Sequence, residues 1–324
     1  MKLLRINLAN FCTYFNKSFL PFGLSLIQSL KRHCPVHNIY VLCLDQETYH
    51  FLSESKSANL ILIRLADLEY CYLELSNAKL NRSQTEYFWT LTPCLIYYIL
   101  VTTKSCDRVT YLDADQLFFS SPASIFNEIK NCDIAILPHR FPSKLAHLEN
   151  HGLFNVSWLT FNNTRNSVDC LEWWRESCLE WCYAKGENGR YGDQKYLDLF
   201  PVKYKNVHII SNTSCGLAPW NLSSYDFKIP VILFHYQSLR KINNYFFIIC
   251  IPDYSKESLN SLNSYLLEVT KSLNKYSVKC NQNISDKSLI ISNNSLGFIT
   301  LFNKVLFIKN QLILKLIYST TGFN

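Results

Sequence analysis

Short apolar runs recur along the first half of this 324-residue chain, separated by stretches of helical periodicity. Residues 3–9, 38–44, 60–65, 109–112 and 133–138 read as buried strands. Between the first two, residues 19–32 place Leu20, Leu24, Ile27 and Leu30 at helical spacing. Strands joined through helices cannot pair as tight hairpins and need crossover connections. The pattern therefore predicts an α/β fold of right-handed βαβ units, a mostly parallel sheet flanked by helices. The aromatic stretch 83–99 reads as a further helix, which Pro93 should end or kink near Thr92. Pro122 opens another, over 122–131.

The second half is less regular. Residues 155–161 look extended, and 169–185 form an amphipathic helix with Leu171, Trp174, Cys178, Trp181 and Cys182 on one face. Residues 207–210 and 231–234 read as short strands. An α/β domain is expected over 1–245, followed by a helical, basic C-terminal extension over 246–324.

Composition excludes several classes. Hydrophobic residues make up 48% and charged residues 18%, enough for a sizeable core and against wholesale disorder. With only 8 Gly, neither a G-x-G-x-x-G turn nor a P-loop can be drawn. The 13 Cys contain no C-x-x-C pair, and Met1-Lys2-Leu3-Leu4-Arg5-Ile6 turns polar too soon for a secretory signal. The thiols therefore read as reduced core residues of a cytoplasmic protein, Cys178 and Cys182 included, although their helical spacing would also admit a zinc site. The net charge of +7 sits at one end: from Lys271 onward there are seven Lys and one acidic residue, Asp286. The nearly neutral body offers no basic groove for nucleic acid.

One strand ends on chemistry. Val109-Thr110-Tyr111-Leu112 runs directly into Asp113-Ala114-Asp115, before Leu117-Phe118-Phe119. Ligands of open α/β sheets bind outside the carboxyl ends of the strands. Two carboxylates there suit Mg²⁺ or Mn²⁺, which in turn suits a phosphate-bearing substrate.

Further segments fall in a telling order around this pair. Asn81-Arg82-Ser83 and Glu86-Tyr87-Phe88-Trp89-Thr90-Leu91-Thr92-Pro93 precede it. Phe154-Asn155-Val156, Tyr191-Gly192-Asp193-Gln194-Lys195-Tyr196-Leu197, Leu217-Ala218-Pro219-Trp220-Asn221 and Leu233-Phe234-His235 follow. The ordered set resembles the bacterial nucleotide-diphospho-sugar glycosyltransferases of the GT-A (Rossmann-like) fold. These are related to glycosyltransferase family 8, the glycogenin and lipopolysaccharide galactosyltransferase type. The resemblance spans roughly residues 1–245.

The resemblance implies a metal-dependent transferase, retaining in stereochemistry, with a nucleotide-sugar donor (UDP-sugar favoured) and a glycan or lipid-linked acceptor. Asp113, Asp115 and His235 would hold the divalent metal, Mn²⁺ or Mg²⁺. Asp193 and Gln194 would act beside the anomeric carbon, Gln194 stabilising positive charge on the donor ring and Asp193 positioning the acceptor hydroxyl or donor sugar. Asn155 would contact the sugar. Thr13 and Tyr14, in a loop after the first strand, would meet the nucleobase, with Tyr14 stacking on it. Arg82 would be the cation on the donor phosphates, since a guanidinium suits bidentate oxygen recognition. Trp220 would wall the sugar site or belong to the core.

Bland readings stand beside these: helix caps for Asp113, Asp115 and Asp193, a structural histidine for His235, a turn for Asn155, a solvated surface arginine for Arg82. The chain also departs from the family where Ser157 and Ser238 stand in place of frequent glycines. Those two positions motivate an alternative, a degenerate binding module for a nucleotide-sugar or glycan. A D-x-D phosphohydrolase is disfavoured, because its motif belongs on the first strand and here lies a third of the way in. Finally, residues 296–318 are strongly apolar but interrupted by Lys304, Lys309 and Lys315. They read as an interfacial helix touching the inner face of the cytoplasmic membrane, or as a helix packed on the body or a dimer interface.

Overall fold

The computed structural model describes residues 8–55, 57–241, 246–250, 265, 271–273, 275–276 and 288–292. Among these, the strands are β1 (Ala9–Phe15), β2 (His37–Cys43), β3 (Leu60–Arg64), β4 (Arg108–Leu112), β5 (Gln116–Phe118), β6 (Ile134–Pro138), β7 (Phe154–Asn162), β8 (Val207–Ile209), β9 (Cys215–Leu217), β10 (Leu233–His235), β11 (Arg240–Lys241), β12 (Phe246–Cys250) and β13 (Ser288–Ser292). The helices are α1 (Leu20–His33), α2 (Gln46–Ser53), α3 (Leu65–Cys71), α4 (Leu75–Asn81), α5 (Gln84–Thr102), α6 (Ala123–Glu128), α7 (Arg165–Glu180) and α8 (Phe200–Lys203). The chain divides into two compact units, each drawn from several segments. The first comprises Met1–Ser18, Leu30–Ala114 and Ser121–Asn212, and the second Phe19–Ser29, Asp115–Ser120 and Thr213–Asn324.

The first unit is built on a seven-stranded sheet of order β3-β2-β1-β4-β7-β6-β8. Its pairs are parallel except that β7 runs antiparallel to both β4 and β6. The expected mostly parallel sheet flanked by helices is therefore present. Its first strand is not where the apolar run 3–9 placed it. Residues 1–7 lie outside the described residues, and Thr13 and Tyr14, expected in a loop, lie within β1. The reason is position in the sheet. β1 lies between β2 and β4, and its polar residues find partners there: Asn10 donates to the Arg108 carbonyl and accepts from Asn38. Phe11 packs against Phe126 and Trp158, with ring centroids 5.8 and 6.5 Å away. Burying each such side chain stabilises the fold by about 1.5–3 kcal/mol.

Helix α5 begins with a capping box, in which Ser83 and Glu86 satisfy each other's backbone N–H groups. Pro93 does not end it. Proline removes one helical hydrogen bond and typically costs about 3 kcal/mol in a helix interior. Here Thr90 through Ile96 are all buried, and that burial offsets the loss, so the helix continues to Thr102. Helix α7 starts and stops four or five residues before the range 169–185. Trp181 is its C-cap, and Cys182 lies beyond it.

The second unit contains the small sheet β5-β10-β9 over a core that includes Leu117, Leu217, Leu222, Phe234, Tyr236 and Leu273. It also holds a three-stranded sheet, β11-β12-β13. Two of those strands fall in the range expected to be helical, where Phe246-Phe247-Ile248-Ile249 and Ile290-Ile291 are aromatic and β-branched runs that favour strand. Short helical turns occur at 271–273 and 275–276. The basic stretch 296–318 lies outside the described residues. Among the described residues no helix is long and apolar enough to cross a membrane.

Candidate active site

In the first unit, several site candidates gather at the carboxyl edge of the parallel strands. The register pairs Cys12 with Tyr111, which brings Tyr14 and Asp113 to the same edge. The Tyr111 hydroxyl donates to Asp113 Oδ1 at 3.0 Å, and the Tyr14 and Tyr111 rings lie 5.8 Å apart. The Tyr14 hydroxyl is 3.2 Å from Thr92 Oγ1. Thr92 also hydrogen-bonds the carboxylate of Asp193. Either hydroxyl of the Tyr14–Thr92 pair can be the donor. Burial pushes the Asp193 carboxyl up to about 7, and the neighbouring Asp113 charge adds to the rise. Burial likewise raises the Tyr14 phenol, reinforced by Asp193 and Asp113.

Asp193 is 5% exposed, and its carbonyl accepts from the Trp174 indole at 2.9 Å. It does not cap a helix; Gln194 holds the N-cap position of the following 3₁₀ turn, Lys195–Leu199, with no side-chain cap bond. The amide of Gln194 donates to the His151 carbonyl at 3.2 Å. Two glycines shape this corner. Gly152 has φ +139°, and a Cβ there would stand 3.1 Å from Gln194 Cγ. Gly192 has φ +51°, and a Cβ there would stand 3.2 Å from the Trp89 ring. Asn155, on β7, is buried and accepts the Ser157 backbone N–H at 2.8 Å, closing the bulge where the β6–β7 register shifts.

In the second unit, His235 ends β10 and its Nε2 lies 3.2 Å from Asp115 Oδ1, both side chains largely buried. The Tyr236 N–H donates to the Asp115 carbonyl at 2.8 Å, extending the β5–β10 ladder. Trp220 is buried, its ring edge-to-face with His235 at 5.8 Å. It therefore packs on the histidine. Ser238 has φ +73°, a backbone conformation that favours glycine.

No protein-family profile matches the sequence. Two uncharacterized Bacillus subtilis (strain 168) proteins are similar to it. YfnD is 28% identical over 254 residues, which is 74% of this chain and 81% of YfnD. YfnF is 29% identical over 251 residues, 72% of this chain and 82% of YfnF. Among solved structures, the galactosyltransferase LgtC in complex with donor and acceptor sugar analogs superposes with a TM-score of 0.53 at 15% identity, covering 82% of this chain and 95% of LgtC. The apo form of the glycosyltransferase GlyE of Streptococcus pneumoniae TIGR4 gives 0.51 at 13% identity, covering 92% of this chain and 83% of GlyE.

The chain has the GT-A fold.

Within that fold, two of the sequence expectations change. Arg82 does not offer its guanidinium to solvent. It is 9% exposed and donates to Thr90 Oγ1 and to the carbonyls of Cys178 and Leu179, the latter two at 2.6 Å. Those carbonyls end α7, so Arg82 neutralises and satisfies a helix C-terminus. Thr13 is fully buried within β1 rather than in a loop, and its hydroxyl has no hydrogen-bond partner. Two neighbours of these carboxylates were missed: Thr92 and Tyr111. Thr92 and Tyr111 stood inside quoted motifs, but only the folded sheet shows which carboxylate each one meets.

Proposed function

We propose that this chain is a glycosyltransferase that moves a sugar from a nucleotide-diphospho-sugar, UDP-sugar favoured, to a glycan or lipid-linked acceptor, with retention of configuration. What carries the reading is the acidic pair at the end of β4 in a GT-A fold: Asp113 follows the strand, and Asp115, two residues on, lies 3.2 Å from His235.

Asp113, Asp115 and His235 would hold a divalent cation. Two carboxylates and an imidazole fit the group, and the imidazole favours Mn²⁺ over the more strictly oxygen-seeking Mg²⁺. When bound, such an ion neutralises charge that develops on the leaving nucleoside diphosphate. The chain's own residues would do the rest. Tyr14 offers an aromatic face to the nucleobase, and Gln194 sits beside the donor ring, oriented by the His151 carbonyl. Asp193 positions the acceptor hydroxyl or donor sugar, and Asn155 contacts the sugar. The body acts in the cytoplasm, and the basic stretch 296–318 brings it to the inner face of the membrane.

A thermal-shift panel of UDP-, GDP-, dTDP- and CMP-sugars, with and without Mn²⁺, tests this on wild type and Asp115→Ala. A donor that binds only the native state at 100-fold its dissociation constant adds about 2.7 kcal/mol. The proposal expects one nucleotide series to shift melting in a Mn²⁺-dependent way, lost in Asp115→Ala, with nucleoside diphosphate released on turnover. The anomeric configuration of the product reads the stereochemistry. No shift from any donor overturns the reading. Binding without turnover favours the alternative of a non-catalytic nucleotide-sugar module, which the serine at φ +73°, Ser238, supports. Unchanged liposome co-sedimentation after deleting 296–324 sinks the membrane contact.

A further inference from the structure

Gln116 is a glutamine without an evident reason. It is 2% exposed, and neither its Oε1 nor its Nε2 has a hydrogen-bond partner. A buried primary amide with both ends unpaired is a standing penalty, and native proteins rarely keep one that nothing uses.

Its place in the small sheet says what could use it. Gln116 is directly opposite His235 in the antiparallel pair of β5 and β10. The ladder bonds that flank this pair run from the Tyr236 N–H to the Asp115 carbonyl and from the Phe119 N–H to the Ile232 carbonyl. Alternation along the ladder makes Gln116–His235 a non-hydrogen-bonded pair. Such residues have Cα atoms only about 4.5 Å apart, with side chains on the same face. His235 meanwhile turns Nε2 toward Asp115 Oδ1, 3.2 Å away. For Nε2 to present a lone pair to a cation, the ring proton must reside on Nδ1, and a neighbouring acceptor fixes that tautomer.

We infer that Gln116 is a positioning residue of the cation site: Oε1 accepts the Nδ1–H of His235 and so holds Nε2 as a lone pair beside Asp115. The inference rests on the cation reading proposed above.

The test titrates the metal-free full-length protein with MnCl₂ alone in a calorimeter, alongside thermal melts. Gln116→Met keeps the volume and removes the acceptor. Its Mn²⁺ affinity should fall about 10- to 100-fold, while its metal-free melting temperature equals or exceeds that of wild type. Gln116→Glu restores an acceptor and should bind within a few-fold of wild type. If Gln116→Met and Gln116→Leu bind Mn²⁺ like wild type while His235→Ala does not, the Gln116 inference fails and the cation reading stands. If both apolar variants melt well below wild type, Gln116 is a structural residue and the inference fails. If wild type itself binds no Mn²⁺, the cation reading fails and takes the inference with it.

Discussion

The Tyr111 hydroxyl donates to Asp113 Oδ1 across 3.0 Å, and the tyrosine that does so is 1% exposed. A hydrogen bond from a buried phenol to a carboxylate contributes about 1.5–3 kcal/mol. It also fixes the first carboxylate of the acidic pair. Tyr111→Phe should therefore lower stability by about 2 kcal/mol, read as a drop in the urea midpoint at unchanged m-value. An unchanged midpoint would show that this bond does not hold Asp113.

Asp193 gives a pH dependence with a definite sign. Its carboxyl is held up at about 7 by burial and by Asp113, against 3.8 for an unperturbed aspartate. A raised carboxyl favours the protonated folded state. Its stabilising contribution is full below about pH 4, falls as pH rises, and is gone above about 7. The slope approaches 1.4 kcal/mol per pH unit where the unfolded chain is ionised and the folded one is not. Melting of the metal-free protein should fall between pH 5 and 7, and Asp193→Asn should flatten that fall. Identical pH profiles for the two proteins would show that Asp193 is ionised throughout.

Much of this was legible in the sequence, and the pattern of failures is physical. The run 109–112 is a local feature, so the strand survived folding as β4, with Asp113 and Asp115 directly after it. β1 was misplaced because a strand between two others must satisfy polar residues through its neighbours, and Asn10 does so only with Arg108 and Asn38 in place. Pro93 was overruled by the burial of Thr90 through Ile96 around it. The partners of Arg82 and Gln116 could not be read. One meets carbonyls nearly a hundred residues away, and the other faces His235 across a strand pair.

Arg82 separates two roles cleanly. As the cap of α7 it satisfies the Cys178 and Leu179 carbonyls, and leaving a buried acceptor unpaired costs about 1–3 kcal/mol. Arg82→Met should lower stability by about 2–4 kcal/mol. Arg82→Lys should recover only part of that, because an ammonium lacks the planar fork. Chemical denaturation checks both. A variant of full stability with weakened nucleoside diphosphate binding would return Arg82 to the phosphate role expected from sequence.

Gly152 is where backbone conformation and the proposed chemistry meet most closely. At φ +139° an L side chain is strained whatever space surrounds it, and a Cβ would press on Gln194 Cγ at 3.1 Å. Gln194 is held on its other side by the His151 carbonyl, so it cannot retreat without losing that bond. Gly152→Ala should lower stability by about 1–3 kcal/mol through backbone strain. It should also lower kcat for sugar transfer, with donor KM little changed, because Gln194 must give way at a reacting centre where placement governs rate. Steady-state kinetics on protein confirmed as folded by circular dichroism decides the matter. Wild-type kcat in a destabilised Gly152→Ala would mean that Gln194 does not need its present position, and the role assigned to it beside the donor ring would fall.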